Sequence, residues 1–325
     1  MANKFAKLKI FFIDEDGKTI PETDDLYKIY GSVVVPGHLK NVKFRRQDFD
    51  TLNDGLIFTG EDSKERVQYY YGKNHVINRK DSRLDIVMNT HERYPIIEQY
   101  IKTHISGEFG KEFLFAILLQ LEMVFYIRMG KEKYFKENGT IGLNTLQKSH
   151  ITITKDFIGF NFTGKTGVEQ SFKMSVKHKL AKHILMLYRT EHPFLFTTAK
   201  GVKLSESFIY NKMKEFDVKI KDLRTYGANK IFISEWGKLV KEKQDELASI
   251  TSNKKTTLLK QMTKMAIDNT AKIIGHEPTT CKTNYLIKEI LELTMSPWFS
   301  NPGQTFTITN VLGKVAGIHS ITKEK

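Results

Sequence analysis

The segment GFNFTGKT, Gly159 to Thr166, matches the phosphate-loop pattern G-x-x-x-x-G-K-[ST] at every position. A loop of that kind holds nucleotide phosphates on backbone amides and a lysine, and it needs a strand before it and a helix immediately after it. The surrounding residues do not supply that setting. Ile158, Phe160 and Phe162 alternate with Gly159, Asn161 and Thr163, the period of a half-buried strand, and the subsequent VEQSFKMSV is strand-like again. The segment therefore reads as a hairpin whose turn, Gly164 to Gly167, presents Lys165 at its tip. No later stretch offers a Walker B partner, so no nucleotide is expected. Arg224 stands near the start of the helical segment IKDLRTYGANKIF, and Arg128 lies in FYIRMGKEKY. In IIGHEPTTCKTNYLIKEILELT, His276 precedes Tyr285 by nine residues with Pro278 between them. Ile273 and Ile274 end one helix, and Leu286, Ile290 and Leu293 place Tyr285 near the start of an amphipathic one. Histidine and tyrosine can thus converge on one cleft. Taken singly, each of these residues has a plainer explanation as a solvated turn lysine or an interior aromatic with one wet end.

The elements that must position them fall into two regions. From Lys7 to about Arg79 the pattern is mostly strands: KLKIFFIDEDGKTI reads as a hairpin, YGSVVVPG as a short alternating strand, and LIFTGEDSKERVQYYYGK as a second hairpin. The apolar signal drops over NRKDSR, Asn78 to Arg83, where a linker is expected. Beyond it RYPIIEQYIKTHI and KEFLFAILLQLEMVFYIRMGKEKYF read as helices. Strands return between His150 and Val176, and from Ser205 to about Met295 the period is again mostly helical. The expected fold class is α+β: a small β-rich domain over residues 1–79, then a larger, mostly helical catalytic domain over 80–325 with an embedded small sheet. The C-terminal NPGQTFTITNVLGKVAGIHSITKEK carries no functional reading.

Composition narrows the partner. The chain has 325 residues, is 40% hydrophobic, and carries Lys+Arg 51 against Asp+Glu 37, a formal net charge of +14. That size buries a substantial core, and that charge suits a polyanion, nucleic acid first and an anionic membrane second. No apolar run approaches a membrane span, and the N-terminus turns acidic too early for a signal peptide. One cysteine, Cys281, excludes an internal disulfide and a thiolate zinc cluster. The ten histidines include no H-x-x-x-H pair, so no metal site is expected.

In chain order, Arg128, Lys165, Arg224, His276 and Tyr285 resemble the active site shared by tyrosine recombinases and type IB topoisomerases. Four blocks, LIFTGEDSKERVQYYYGKNHVINR, FYIRMGKEKYFKENGTIGLNTL, IKDLRTYG and the GH…Y segment, resemble the poxvirus type IB topoisomerases in the same order and at similar spacing, over about residues 5 to 295. Recombinases usually carry H-x-x-R where this chain has Lys221-Asp222-Leu223-Arg224, and they typically carry a helical arm domain in place of a strand-rich one. A tyrosine recombinase or integrase is the alternative.

The resemblance implies a reaction and its parts. Tyr285 would attack a DNA phosphodiester to give a 3′-phosphotyrosyl enzyme and a free 5′-hydroxyl, which later attacks back without ATP. Arg128, Arg224 and His276 would donate to the non-bridging oxygens, and Lys165 would protonate the leaving oxygen, with Arg128 assisting. No cofactor or metal is implied. Gln68, Tyr69 and Tyr71 in VQYYYG, Lys131, Lys133 and Tyr134 in GKEKYFKEN, and Lys221 would contact DNA, preferring a site like (C/T)CCTT. A monomer closing as a clamp on double-stranded DNA is implied, with no membrane and no nucleotide, located in the virion and host cytoplasm. The family pattern has an aspartate directly after the hairpin lysine; this chain has Thr166.

Overall fold

The computed structural model describes residues 12–46 and 55–323, with the side chains of 79–81, 166 and 318–323 outside the description. The chain divides into two compact units, Met1–Ser82 and Arg83–Lys325.

In the first unit, strands β1 (Phe12–Ile13) and β2 (Thr19–Ile20) pair antiparallel across the acidic turn, as the DEDG signal suggests; Lys7–Phe11 of that expected hairpin lie outside the described residues. Helix α1 (Asp25–Tyr30) comes next, started by the Asp24 carboxylate accepting the Leu26 N–H at 3.0 Å. The YGSVVVPG stretch is a loop and not the expected strand, with Val34 87% exposed. Pro36 denies it a ladder donor, and the Tyr30 ring that opens it is taken into the core. The strand instead comes later, as β3 (Lys40–Phe44), which pairs with β4 (Leu56–Glu61), which pairs with β5 (Val67–Tyr71). Phe12, Tyr30, Phe44 and Phe58 pack into an aromatic core, and Tyr70 stacks on Phe58 at 4.5 Å. Alternation along β5 then leaves Val67, Tyr69 and Tyr71 on the opposite, exposed face.

Asn78–Arg83, the expected linker, lies inside a long helix, α2 (Lys73–His104). Its polar composition marks a helix with little apolar face here, which low hydrophobicity alone does not distinguish from a linker. In the second unit, α3 (Lys111–Phe125) is a core helix, Phe113 to Leu119 being buried all round. The segment read as one helix from Lys111 to Phe135 is two: Tyr126 adopts φ +53° and ends α3, and α4 (Glu132–Asn138) starts anew. Strands β6 (Ile151–Ile153), β7 (Phe157–Thr163) and β8 (Glu169–Ser175) form an antiparallel sheet whose Ile158, Phe160 and Phe162 pack into the α3 core. After α5 (Ala181–Tyr188) and α6 (Glu206–Glu215) comes α7 (Ile220–Glu242). Its Ile220 and Leu223 belong to the α3 core, whereas Tyr226, Phe232 and Trp236 belong to a second core. That second core is completed by α9 (Ser252–Ile274), reached through the short α8 (Gln244–Ser249), and by α10 (Pro278–Asn284), α11 (Lys288–Leu293) and α12 (Ile308–Lys323). The C-terminal tail, silent as a sequence, is thus structural: Val311, Leu312 and Val315 are buried, and the Phe306 ring packs edge-on against Phe299 at 5.3 Å. Among the described residues, no helix is long and apolar enough to cross a membrane.

Candidate active site

Arg224 is 5% exposed and sits on α7 where the two cores of the second unit meet. One of its terminal nitrogens, Nη2, donates to Ile274 O and lies 3.0 Å from His276 Nε2. His276 reaches it because α9 stops abruptly. Gly275 takes φ +66°, the left-handed conformation that favours glycine, and the His276 N–H then closes back on Ala271 O at 2.8 Å. Arg128 approaches the same imidazole, with Nη2 3.2 Å from Nε2 and 3.3 Å from Nδ1. Its segment comes after the break at Tyr126 and is pinned by two backbone bonds, Leu143 N–H to Arg128 O at 2.9 Å and Asn144 N–H to Met129 O at 2.8 Å.

Tyr285 completes the group. Its ring lies 4.6 Å from that of His276 and 5.8 Å from the Arg224 guanidinium carbon. It closes the short α10, its N–H on Cys281 O at 3.1 Å, and stands just before the start of α11, as expected, rather than on it. Pro278 starts α10 and so prevents α9 from running on. Asn229, fully buried on α7, holds this corner: its Nδ2 donates to Tyr285 O at 2.9 Å and its Oδ1 accepts the Ile287 N–H at 3.0 Å. Arg83 donates to Leu286 O at 2.9 Å. Sequence reasoning missed Asn229; the only signal available was a lone amide inside a helical segment, a residue type that helix interiors disfavour.

The hairpin reading of GFNFTGKT holds. Strands β7 and β8 pair from Phe157↔Ser175 to Thr163↔Glu169, and Lys165–Gly167 make a single tight turn between them, exposing Lys165. The element after this turn is the strand β8, so the turn does not face the amides of a helix N-terminus. Lys165 and Arg128 line one small depression with Gln170, and the Lys165 charge is felt at His276. Gln170 bridges the hairpin to the histidine turn, since a Cβ on Gly275 would stand 2.7 Å from its Oε1. The side chain of Thr166 is outside the described ones.

Burial, then the cations Arg224, Arg128 and Lys165, push the His276 pKa down to about 3, so the imidazole is neutral near pH 7. Burial also lowers Arg224, which the phenol of Tyr285 and the carboxyl of Glu122 oppose. Three cationic groups, one neutral imidazole and one phenol therefore face one place, an arrangement matched to a phosphodiester with a nucleophile beside it.

The remaining expected contacts are spread over both units. In the first, Tyr69 is 59% and Tyr71 39% exposed on one face of β5, and Tyr71 stacks on His75 at 4.3 Å. Gln68 points to the other face of that strand and donates to Asp62 at 2.9 Å. In the second, Lys131, Lys133 and Tyr134 are exposed at the start of α4, and Lys221 is exposed on α7 three residues before Arg224.

Residues 87–295 match the family described as eukaryotic DNA topoisomerase I, catalytic core, and residues 4–60 match viral DNA topoisomerase I, N-terminal. The chain is 36% identical to DNA topoisomerase 1B of Vaccinia virus (strain Copenhagen) over 278 residues, 84% of each chain. It is 34% identical to DNA topoisomerase 1 of Rabbit fibroma virus (strain Kasza), over 86% of this chain and 88% of that one. DNA topoisomerase 1B of Acanthamoeba polyphaga mimivirus is 26% identical over 74% of this chain and 73% of its own. A crystal structure of the XerH site-specific recombinase bound to difH covers 62% of this chain and 51% of its own, at 15% identity and a TM-score of 0.35, too loose a likeness to carry weight. The chain belongs to the type IB DNA topoisomerases, in their viral form.

Proposed function

We propose that this enzyme relaxes supercoiled double-stranded DNA by nicking and resealing one strand through a tyrosine–phosphate ester. The observation that carries the reading is the convergence of Arg128, Arg224 and His276 beside Tyr285, with Lys165 at the edge of the same site. The Tyr285 oxygen attacks phosphorus, the phosphorus–O5′ bond breaks, and the 5′-hydroxyl departs with a proton; the 3′-phosphate stays on the tyrosine. The strand then rotates, and the 5′-hydroxyl attacks back, returning the phenol. The tyrosyl ester conserves the free energy of the broken phosphodiester bond, so resealing needs no ATP.

Charge gathers on the non-bridging oxygens in the transition state. Arg128 and Arg224 offer planar forks that stay charged, and a neutral His276 adds one N–H donor. Lys165 sits at the tip of an exposed turn and is the proton donor to O5′, a role worth about 10²–10⁴-fold. Tyr69 and Tyr71, with Lys131, Lys133 and Tyr134, present exposed rings and ammonium groups suited to base edges and flanking phosphates, and a (C/T)CCTT-like site is the target they would read. Lys221 supports the phosphate backbone near Arg224. Gln68, tied to Asp62, orders the strand that carries the tyrosines.

The test is a duplex containing CCCTT incubated with the enzyme without ATP or magnesium. A covalent adduct at the 3′ side of the pentamer that disappears in Tyr285→Phe supports the reading. Relaxation without an adduct there removes the site preference; exchange of strands between two duplexes in place of relaxation returns the recombinase.

A further inference from the structure

Glu122 has no part in the chemistry described above, yet it is 2% exposed, and its Oε2 has no hydrogen-bond partner among the described residues. Across from it, the buried Nε of Arg224 is likewise without a partner there. A buried polar atom left unpaired forfeits the hydrogen bond it had with water, so two such atoms on neighbouring charged groups need a reason. The packing of the helices makes them neighbours. Helix α3 packs on α7, and a Cβ on Gly227 would stand 1.9 Å from the Tyr126 ring. Glu122 lies one helical turn before Tyr126, and Arg224 one turn before Gly227. Each is an electrostatic neighbour of the other.

Resting on the phosphodiester-transfer reading of the site, we propose that the Glu122 carboxyl is the positioning residue for Arg224. In the free enzyme the guanidinium commits Nη2 to Ile274 O and His276. When a phosphate draws its terminal nitrogens outward, the guanidinium turns about its stem, and the Nε–H is received by Glu122 Oε2 from behind. The plane of the fork is then fixed at both ends.

The protonation state of the carboxyl matters to this role. Burial raises the Glu122 pKa to about 8 against the pull of Arg224, so the side chain is mainly neutral at pH 7. The other titratable groups facing it are Tyr94 on α2 and Tyr126 at the end of α3, both pushed upward by burial and uncharged in this range. A neutral acid can accept the Nε–H through its carbonyl oxygen while leaving the full guanidinium charge to the phosphate. An ionised one pairs with Arg224 and weakens that grip.

Single-turnover cleavage measured from pH 6 to 9.5 tests this with two variants, beside their melting temperatures. Glu122→Met keeps volume and removes the acceptor: it should melt at or above wild type yet cleave about 10-fold or more slowly. Glu122→Gln keeps a neutral acceptor: it should match wild type at pH 7 and lack the loss of rate that wild type shows above about pH 8. A Glu122→Met enzyme that cleaves like wild type, or a Glu122→Gln enzyme that tracks wild type through the alkaline range, overturns the proposal. A readout independent of turnover is the ¹⁵N-edited Arg224 Nε–H resonance in Tyr285→Phe protein. Duplex binding should shift it downfield with Glu122 present and leave it in place with Glu122→Met; equal behaviour in the two overturns the proposal. The expected shift together with a wild-type protein that forms no adduct on any duplex supports the pair and convicts the reaction assignment instead.

Discussion

At the scale of single residues, the candidate site holds charge away from water. His276 is the clearest case, because its folded-state pKa of about 3 lies well below the usual value of 6.5. A depressed pKa means the unfolded chain binds the proton more readily, so the stability this residue contributes is present above pH 6.5 and is lost as pH falls toward 3. His276→Asn keeps an N–H donor and cannot titrate. Wild type should therefore lose melting temperature faster than His276→Asn between pH 6.5 and 4.5; parallel curves would show that the imidazole is not held neutral. Arg224 supports a second expectation. Its terminal nitrogen makes two contacts, with Ile274 O and His276, a geometry a lysine ammonium cannot copy. Arg224→Lys should lower the single-turnover cleavage rate by about 10²–10³ with little change in DNA affinity, the mark of an interaction made in the transition state. A variant within a factor of a few of wild type would remove Arg224 from the phosphate.

At the scale of elements, the site is a meeting of segment ends: the break after α3, the tip of the β7–β8 hairpin, the start of α7, the end of α9 and the close of α10. Some of these ends were legible. The alternation of Ile158, Phe160 and Phe162 is local and survives in the structure, so the hairpin displaced the phosphate-loop reading; Pro278 likewise marks a real stop. Others depend on distant partners. Tyr126 ends α3 in a left-handed conformation that no local residue signals, and the Arg128 segment after it is fixed by Leu143 and Asn144 from a later part of the chain. Glu122 and Asn229 read as ordinary helix residues until the packing of α3 on α7 and the turn at Tyr285 give them buried neighbours. Gly227 shows which effect wins at such a junction. Alanine in a helix interior is worth about 1 kcal/mol over glycine. Here its Cβ would stand 1.9 Å from the Tyr126 ring, so the ring or the helices must shift. Overpacking of this kind costs about 1–3 kcal/mol, and Gly227→Ala should lower the melting temperature as well as the cleavage rate. A variant that melts higher than wild type would mean that Tyr126 swings aside freely.

For the whole molecule, the relevant quantity is the formal net charge of +14, which is not needed for folding and would be a liability without a polyanion. Exposed Lys131, Lys133 and Lys221 lie in the same unit as the more enclosed Arg128 and Arg224, so under the proposed function binding and chemistry would draw on cations in different surroundings. The difference is measurable. Surface lysines release counterions when they meet phosphates, and a protein with about 6–10 such contacts loses about 10³–10⁵ in affinity between 50 and 200 mM salt. Buried charges are screened far less by the same salt. The dissociation constant for duplex DNA should therefore rise by about 10³ over that range, whereas the single-turnover cleavage rate, taken with enzyme saturating at each salt, should stay within about twofold. A flat affinity would leave the surface charge without its partner. A rate that falls in step with affinity would mean that Arg128 and Arg224 meet the phosphate in open solvent, and that the burial separating the reacting group from the docking group is lost once DNA is bound.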